Sequence, residues 1–134
     1  MKSLIFAVLM MVCSVSRAER ELCGSSGSGD KNASYFCDTS TIKRNGAISQ
    51  MWKITNYTKV QTNARGDKYM SAKVLKAYNC REETNARITL IHYLDLMGEG
   101  DVVWSNTRQE SEWEWSPVAG TAMQTVWKIA CGKK

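Results

Sequence analysis

Proline, histidine and long apolar segments are all scarce in this sequence. It has one proline and one histidine among 134 residues, and the low proline content excludes collagen-like and low-complexity chains. Hydrophobic residues make up 43% and charged residues 23%, a balance that is typical of one globular domain. After residue 18, no apolar segment is long enough to span a membrane.

The single histidine, His92, also limits the chemistry that can be expected. It has no cysteine or carboxylate neighbour at ligand spacing, so we predict no zinc site. Nucleophilic catalysis needs an oriented base, for which His92 is the sole candidate, and the sequence has no GxSxG motif. We therefore predict no metal, no cofactor and no enzymatic activity. The alternative use of His92 is as an axial haem ligand, although no CxxCH motif accompanies it.

The first 18 residues have the pattern of a secretory signal peptide. Met1-Lys2 forms a basic start, Leu4–Val12 is a continuous apolar run, and Ser16-Arg17-Ala18 offers small residues for cleavage. We predict cleavage after Ala18 and export to the periplasm, the outer surface or the medium. Loss of the two basic residues in this segment lowers the formal charge from +5 to +3, which is too mildly basic to indicate a nucleic-acid partner.

Four cysteines remain after residue 18: Cys23, Cys37, Cys80 and Cys131. In an exported chain they predict two disulfides, for which three connectivities are possible, and the alternative is one bridge with two free thiols. A bridge between Cys23 and Cys37 would close the glycine- and serine-rich loop of residues 24–29 into a ring. A bridge between Cys80 and Cys131 would tie the end of a helix to the end of a strand, and we expect this pairing from those positions.

Between residues 47 and 108 the apolar residues recur with a period of two, which is typical of strands. Turns that contain glycine separate the runs, so we predict an antiparallel meander. The predicted strands are Ala47–Tyr57, Tyr69–Cys80, 87–94 and Asp101–Arg108. Residues 19–34 are polar and glycine-rich, and we predict that they form a flexible lead-in to a domain of residues 35–131, followed by a basic tail of residues 132–134.

The period changes to that of a helix near the C-terminus. Residues Ala122–Ala130 carry apolar side chains with the spacing of one helix face: Met123, Val126, Trp127 and Ala130. Thr121 and Gln124 have the spacing of a capping box at the helix start. The predicted fold class is therefore α+β, an antiparallel β-sheet meander with one C-terminal α-helix packed on one face.

Five tryptophans are many for a domain of this size, and we predict that they fill the core and the seam between sheet and helix. The alternative is an exposed aromatic patch, which would mark a binding surface. Near Trp113 and Trp115, an extended backbone would place the carboxylates of Glu110, Glu112 and Glu114 on one side and the indoles on the other. We interpret this segment as a solvated edge rather than as an acid–base pair. Since one helix cannot cover a whole sheet, the other face is open or meets a partner, which favours a binding module.

Basic side chains gather around the central hairpin of the predicted sheet. They are Lys68, Lys73, Lys76, Arg81 and Arg87. These residues are the candidate binding site, an electrostatic patch for acidic partners such as matrix proteins or glycosaminoglycans. The alternative is a solvated strand and turn whose charges prevent edge-to-edge aggregation.

Three segments of the chain resemble the bacterial surface-adhesin protein E family. The first is Tyr35–Trp52, with the pattern Y-F-C-D-x-S-x-I-K-R-x-G-x-I-x-x-x-W, and the second is Tyr69–Cys80, with the pattern Y-x-S-x-K-x-L-x-x-Y-x-C. The third consists of Trp115, Gly120-Thr121 and a helix that ends at Cys131. The resemblance covers most of the predicted mature chain.

This resemblance implies an antiparallel sheet whose C-terminal helix is tethered by a disulfide, in a protein of the Gram-negative envelope or one secreted from it. It also implies a noncatalytic protein-binding role, with host extracellular-matrix proteins as the partners. Two alternatives stay open, because a fold does not fix a function. One is a periplasmic structural or inhibitor protein, such as a lysozyme inhibitor or a support for an envelope machine. The other is a carrier of haem or another small ligand.

Overall fold

The computed structural model describes residues 20–134, so the predicted signal peptide lies outside the described residues. The described chain forms seven β-strands, three short 3-10 turns and one α-helix. The strands are β1 (Arg20–Ser26), β2 (Ala33–Asn45), β3 (Ile48–Thr62), β4 (Lys68–Asn79), β5 (Thr84–Tyr93), β6 (Val102–Thr107) and β7 (Ser116–Pro117), and the helix is α1 (Thr121–Ala130).

All of these strands belong to one antiparallel sheet, which confirms the predicted meander. Strands β1 to β6 lie side by side in chain order, and the two-residue β7 pairs with the start of β5. The ladder between β3 and β4 runs without a shift from the Ile48–Asn79 pair to the Asn56–Ser71 pair. Each strand needs only a short turn to reach its neighbour, so strand period and turn residues together specify this order.

Helix α1 packs on one side of the sheet, against β1, β2 and β3. Its residues Val126, Trp127 and Ala130 are buried in a core that they share with Met51 and Tyr78 of the sheet. The apolar spacing in the sequence therefore identifies the helix face that packs on the sheet. Among residues 20–134, no helix is long and apolar enough to span a membrane.

Two disulfides border this core. Cys80 is bonded to Cys131 and Cys23 to Cys37, with Cα atoms 5.6 Å and 5.8 Å apart. The first bridge joins the residue after β4 to the residue after α1, and the second joins β1 to β2. The predicted fold class, an α+β sheet with a disulfide-tethered helix, is confirmed.

The two faces of the sheet can be told apart along β3. Ser49 Oγ donates a hydrogen bond of 2.6 Å to the carbonyl of Ala130 in α1. Side chains alternate along a strand, so Ser49, Met51 and Lys53 point to the side of the helix, which we call the covered face. Ile48 and Trp52 point to the opposite side, which we call the helix-free face.

The segment before residue 35 differs from its prediction. Residues 20–26 form β1, and β2 begins at Ala33, so most of the predicted flexible lead-in belongs to the sheet. Strand β1 pairs with β2 from Arg20–Asp38 to Ser26–Ala33, and α1 packs against it. The prediction was wrong because composition alone does not show that a polar, glycine-rich segment pairs with a neighbouring strand. It also does not show that a disulfide joins β1 to β2.

The start of α1 also differs from its prediction. Gly120 is the N-cap residue with φ 83° and ψ 161°, and Thr121 is already the first helical residue. Such a positive φ favours glycine, which explains why glycine rather than threonine occupies the cap. The Gln124 side chain donates to Oε1 of Glu83 at 2.9 Å and takes no part in a capping box.

Candidate binding site

The structure does not bring the five predicted basic residues together. Lys76 and Arg87 are direct cross-strand neighbours, but Lys73 is three residues from Lys76 and therefore points to the opposite face. Lys68 begins β4 and Arg81 lies beyond its end, so the length of this strand separates them. The proposed patch is thus a pair of cations with three scattered neighbours.

The tryptophans are also placed differently from their prediction. Trp127 alone among the five is buried, with 7% of its surface exposed. Trp115 is 42% exposed, and the remaining three are half-buried: Trp52, Trp104 and Trp113. The core prediction is therefore wrong for four of the five tryptophans, because the single helix supplies only one indole to the covered face.

Three of these tryptophans line a groove on the helix-free face. The groove consists of two adjoining clefts of about 360 Å³ and about 330 Å³, which share Lys43 and Gln50. We call it the aromatic groove, and its principal residues are Ile48, Gln50, Trp52, Leu75, Trp113 and Trp115. The lining is about half apolar and half polar or charged, and aromatic side chains next to polar groups are typical of interaction surfaces.

A bulge in β2 builds one wall of the aromatic groove. Asp38 pairs with Trp52 and Lys43 pairs with Gln50, so residues 39–42 stand opposite a single residue of β3. Thr41 Oγ1 accepts the backbone N–H of Trp52 at 3.0 Å, which replaces the missing ladder bond. The same hydroxyl donates to the carbonyl of Asp38 at 2.6 Å. A bulge redirects side chains, and here the Thr41 hydroxyl pairs with the backbone donor of Trp52.

The opposite wall comes from the segment between β6 and β7. Glu110–Glu112 is a 3-10 turn with a capping box at its start. The Gln109 side chain accepts a hydrogen bond from the Glu112 backbone N–H, and the Glu112 carboxylate accepts one from the Gln109 backbone N–H. Trp113 and Trp115 follow with ring centroids 6.2 Å apart in an edge-to-face arrangement. The prediction of one extended segment is wrong over the turn, and Glu110 lines the groove beside the indoles rather than lying opposite to them.

The covered face contains a buried amine next to the helix. Lys53 is only 4% exposed, and its Nζ lies 3.9 Å from Sδ of Met123 and 4.3 Å from the ring centre of Tyr35. Burial, and to a smaller extent the nearby charge of Lys76, lowers the pKa of Lys53 from 10.5 to about 7. Among the described residues no carboxylate forms an ion pair with Lys53.

His92 is held by its neighbours in the sheet. Its ring stacks on Tyr69 at 3.8 Å and lies 5.2 Å from the ring of Trp104. Its Nδ1 accepts a hydrogen bond of 3.4 Å from Asn63, and burial lowers its pKa. Within residues 20–134, no group of three His, Cys, Asp or Glu side chains is placed to hold a metal ion.

The comparisons with known proteins agree with this fold. The sequence profile of the surface-adhesin protein E family matches residues 25–132. The chain belongs to this family. No curated protein sequence matches the chain significantly.

Solved structures of Haemophilus influenzae protein E have a similar fold. Crystal form II is 15% identical with a TM-score of 0.56, and covers 73% of this chain and 80% of that one. Protein E from non-typeable Haemophilus influenzae is 14% identical with a TM-score of 0.54, and covers 84% and 82% respectively. At this identity the likeness concerns the fold, so the function has to be argued from the surface of this chain.

Proposed function

We propose that this member of the surface-adhesin protein E family is an exported, noncatalytic module that binds host extracellular proteins, with matrix proteins as the first candidates. The observation that supports this proposal is the aromatic groove, where Trp52, Trp113 and Trp115 remain partly exposed on the helix-free face. The family is named for adhesion at the cell surface, which is consistent with a protein partner.

The composition of the groove suits a protein partner. Tryptophan offers a large apolar area together with one polar N–H, and it is enriched among the residues that dominate binding energy at protein interfaces. Charged side chains border the indoles, with Lys43 and Arg44 on one side and Glu110 on the other. An apolar centre with a polar rim is the usual anatomy of such interfaces.

The test is binding of the oxidised chain from residue 19 onward to immobilised matrix proteins and to lysozyme. We expect saturable binding to at least one matrix protein, and we expect Trp115→Ala to weaken it at least tenfold, in line with roughly 1.4 kcal/mol or more for an interface tryptophan. Trp115 is an exposed side chain, so its removal is expected to leave the fold intact.

A matched control is Leu22→Ala. Leu22 is 65% exposed on the edge strand β1 and does not line the aromatic groove, so this variant should bind like the parent protein. Equal binding by Trp115→Ala and the parent would remove the groove from the proposal. Binding to lysozyme alone would instead support the alternative of an envelope inhibitor.

A further inference from the structure

A second cleft lies on the covered face, away from the aromatic groove. Lys76 pairs with Met51 in the ladder between β3 and β4, so both side chains point to the covered face. Helix α1 packs over β1 to β3, whereas this cleft is built on β4, β5 and the segment after β6. Its volume is about 330 Å³, and its lining residues are all polar: Lys76, Asn85, Arg87, Arg108, Glu114 and Ser116.

Like charges are adjacent in this cleft. Lys76 and Arg87 are direct cross-strand partners, an arrangement that destabilises a sheet when both side chains carry the same charge. Burial and the charge of Arg87 lower the pKa of Lys76. Burial and the charge of Arg108 lower the pKa of Arg87, and the charge of Glu114 partly offsets this. The free protein therefore keeps three neighbouring cations at a cost in electrostatic energy.

One carboxylate reaches these cations, and it does so from the solvent side. Oε2 of Glu114 lies 3.7 Å from Nη1 of Arg108, and the Glu114 side chain is 82% exposed. Among the described residues, Lys76 and Arg87 form no salt bridge. The cleft consequently has an excess of positive charge. The Arg108–Glu114 salt bridge offsets this charge only weakly, because Glu114 is exposed to solvent.

Neutral donors complete the lining. Oδ1 of Asn85 accepts a hydrogen bond of 3.1 Å from Nζ of Lys76, which leaves the amide N–H groups of Asn85 available. Ser116 pairs with Asn85 across β5 and β7, so its hydroxyl lies at the same end of the cleft. Guanidinium groups bind the oxygens of sulfate and phosphate in a bidentate manner.

We propose that this cleft binds a tetrahedral oxyanion, namely the sulfate or phosphate ester of a sugar. Such a group would offset the repulsion among Lys76, Arg87 and Arg108 and would accept hydrogen bonds from Asn85 and Ser116. The cleft volume falls in the range of small-ligand sites, which leaves room for a sugar ring next to the ester. This inference goes beyond the proposed protein-binding function, because it concerns another face of the sheet.

The experiment is calorimetric titration of the oxidised chain with glucose 6-sulfate, glucose 6-phosphate and glucose at constant ionic strength. We expect binding of at least one ester and none of glucose, and the stronger ester identifies whether sulfate or phosphate is the preferred group. Arg87→Gln and Arg108→Gln should each weaken ester binding roughly tenfold, because each removes a charge-assisted hydrogen bond. Glu114→Gln should strengthen it, because it removes a negative charge from the rim.

The matched control is Arg81→Gln, which removes an exposed arginine outside the cleft and should leave ester binding unchanged. Absence of ester binding, equal binding of glucose, or full binding by a folded Arg87→Gln variant would overturn the proposal. If Arg87→Gln failed to fold, the increase expected for Glu114→Gln would decide. Trp115→Ala should bind the esters normally, so failure here is distinguishable from failure of the proposed protein-binding function.

Discussion

Along β3, two polar residues of the covered face are more deeply buried than two apolar residues of the helix-free face. On the covered face, Ser49 is fully buried and Lys53 is 4% exposed. On the helix-free face, the neighbouring apolar residues Ile48 and Trp52 remain half-buried. This difference in burial arises because α1 packs on the side of β3 that carries Ser49 and Lys53. The helix also provides the Ala130 carbonyl as an acceptor for the Ser49 hydroxyl.

This comparison separates two roles of the sheet. The covered face contains the shared core of helix and strands, and both disulfides border it. The helix-free face carries tryptophans that remain partly exposed, and exposed aromatic groups of this kind are typical of interaction sites. We therefore expect substitutions in the core beneath α1 to change stability, and substitutions of the tryptophans on the helix-free face to change protein binding.

The sharpest test replaces one tryptophan on each face. Trp127 is buried, and its Nε1 donates a hydrogen bond of 2.9 Å to the Asn79 carbonyl. We expect Trp127→Ala to lower the free energy of unfolding by about 4 kcal/mol, because it leaves a cavity and an unpaired carbonyl. Trp115→Ala should lower it by less than about 1 kcal/mol. Urea denaturation of both variants gives the two values, and equal losses would contradict the division of roles.

The next test compares the two disulfides. Their sequence separations are 51 for Cys80–Cys131 and 14 for Cys23–Cys37. By loop-closure entropy, removal of the first bridge should cost about 4 kcal/mol and removal of the second about 3 kcal/mol. The measurement is denaturation of the two double Cys→Ala variants under oxidising conditions.

A second signal distinguishes these variants. Loss of the Cys80–Cys131 bridge frees the end of α1, so the near-ultraviolet circular dichroism of the buried Trp127 should weaken. Loss of the Cys23–Cys37 bridge should leave that signal in place. If both variants keep the full near-ultraviolet signal of Trp127, the Cys80–Cys131 bridge does not hold the helix on the covered face.

Much of the fold could be predicted from local sequence patterns. The alternation in β3 and β4 and the spacing from Met123 to Ala130 depend on neighbouring residues, and those patterns specify a strand or a helix directly. The Cys80–Cys131 pairing was expected from the ends of these elements. The pairing of β1 and the side of the sheet on which α1 lands depend on contacts that are distant in sequence, which a local pattern does not contain.

The candidate site could be predicted less well. The period of two already places Lys73 and Lys76 on opposite faces, so this signal could have divided the basic patch in advance. Arg108 was missed because it reaches Arg87 only through the pairing of β5 with β6, and no local pattern marks it. The bulge at residues 39–42 likewise becomes evident only from the register of β2 against β3.

The third test concerns the buried amine of Lys53. Its pKa is about 7 in the folded protein and close to the ordinary 10.5 in the unfolded chain. Between these values the unfolded chain binds more protons, so the free energy of unfolding rises with pH. We expect Lys53 to raise the free energy of unfolding by about 3 kcal/mol between pH 7 and pH 9.5. Tyr57, whose pKa is raised to about 12, acts in the opposite direction only above about pH 10.

The variant Lys53→Met tests this expectation, because it keeps an apolar stem beside Met123 and removes the charge. It should be more stable than the parent at pH 7 and should lose most of the rise with pH. Burial also lowers the pKa of Lys76, so the decisive quantity is the difference between parent and variant at each pH. Lys59→Met is the matched control, since the Lys59 side chain is 66% exposed on the same strand and its removal should preserve the slope. If the free energy of unfolding of Lys53→Met rose with pH as steeply as that of the parent, the covered face would tolerate a charged amine. The packing of α1 around Lys53 would then be looser than its contacts indicate.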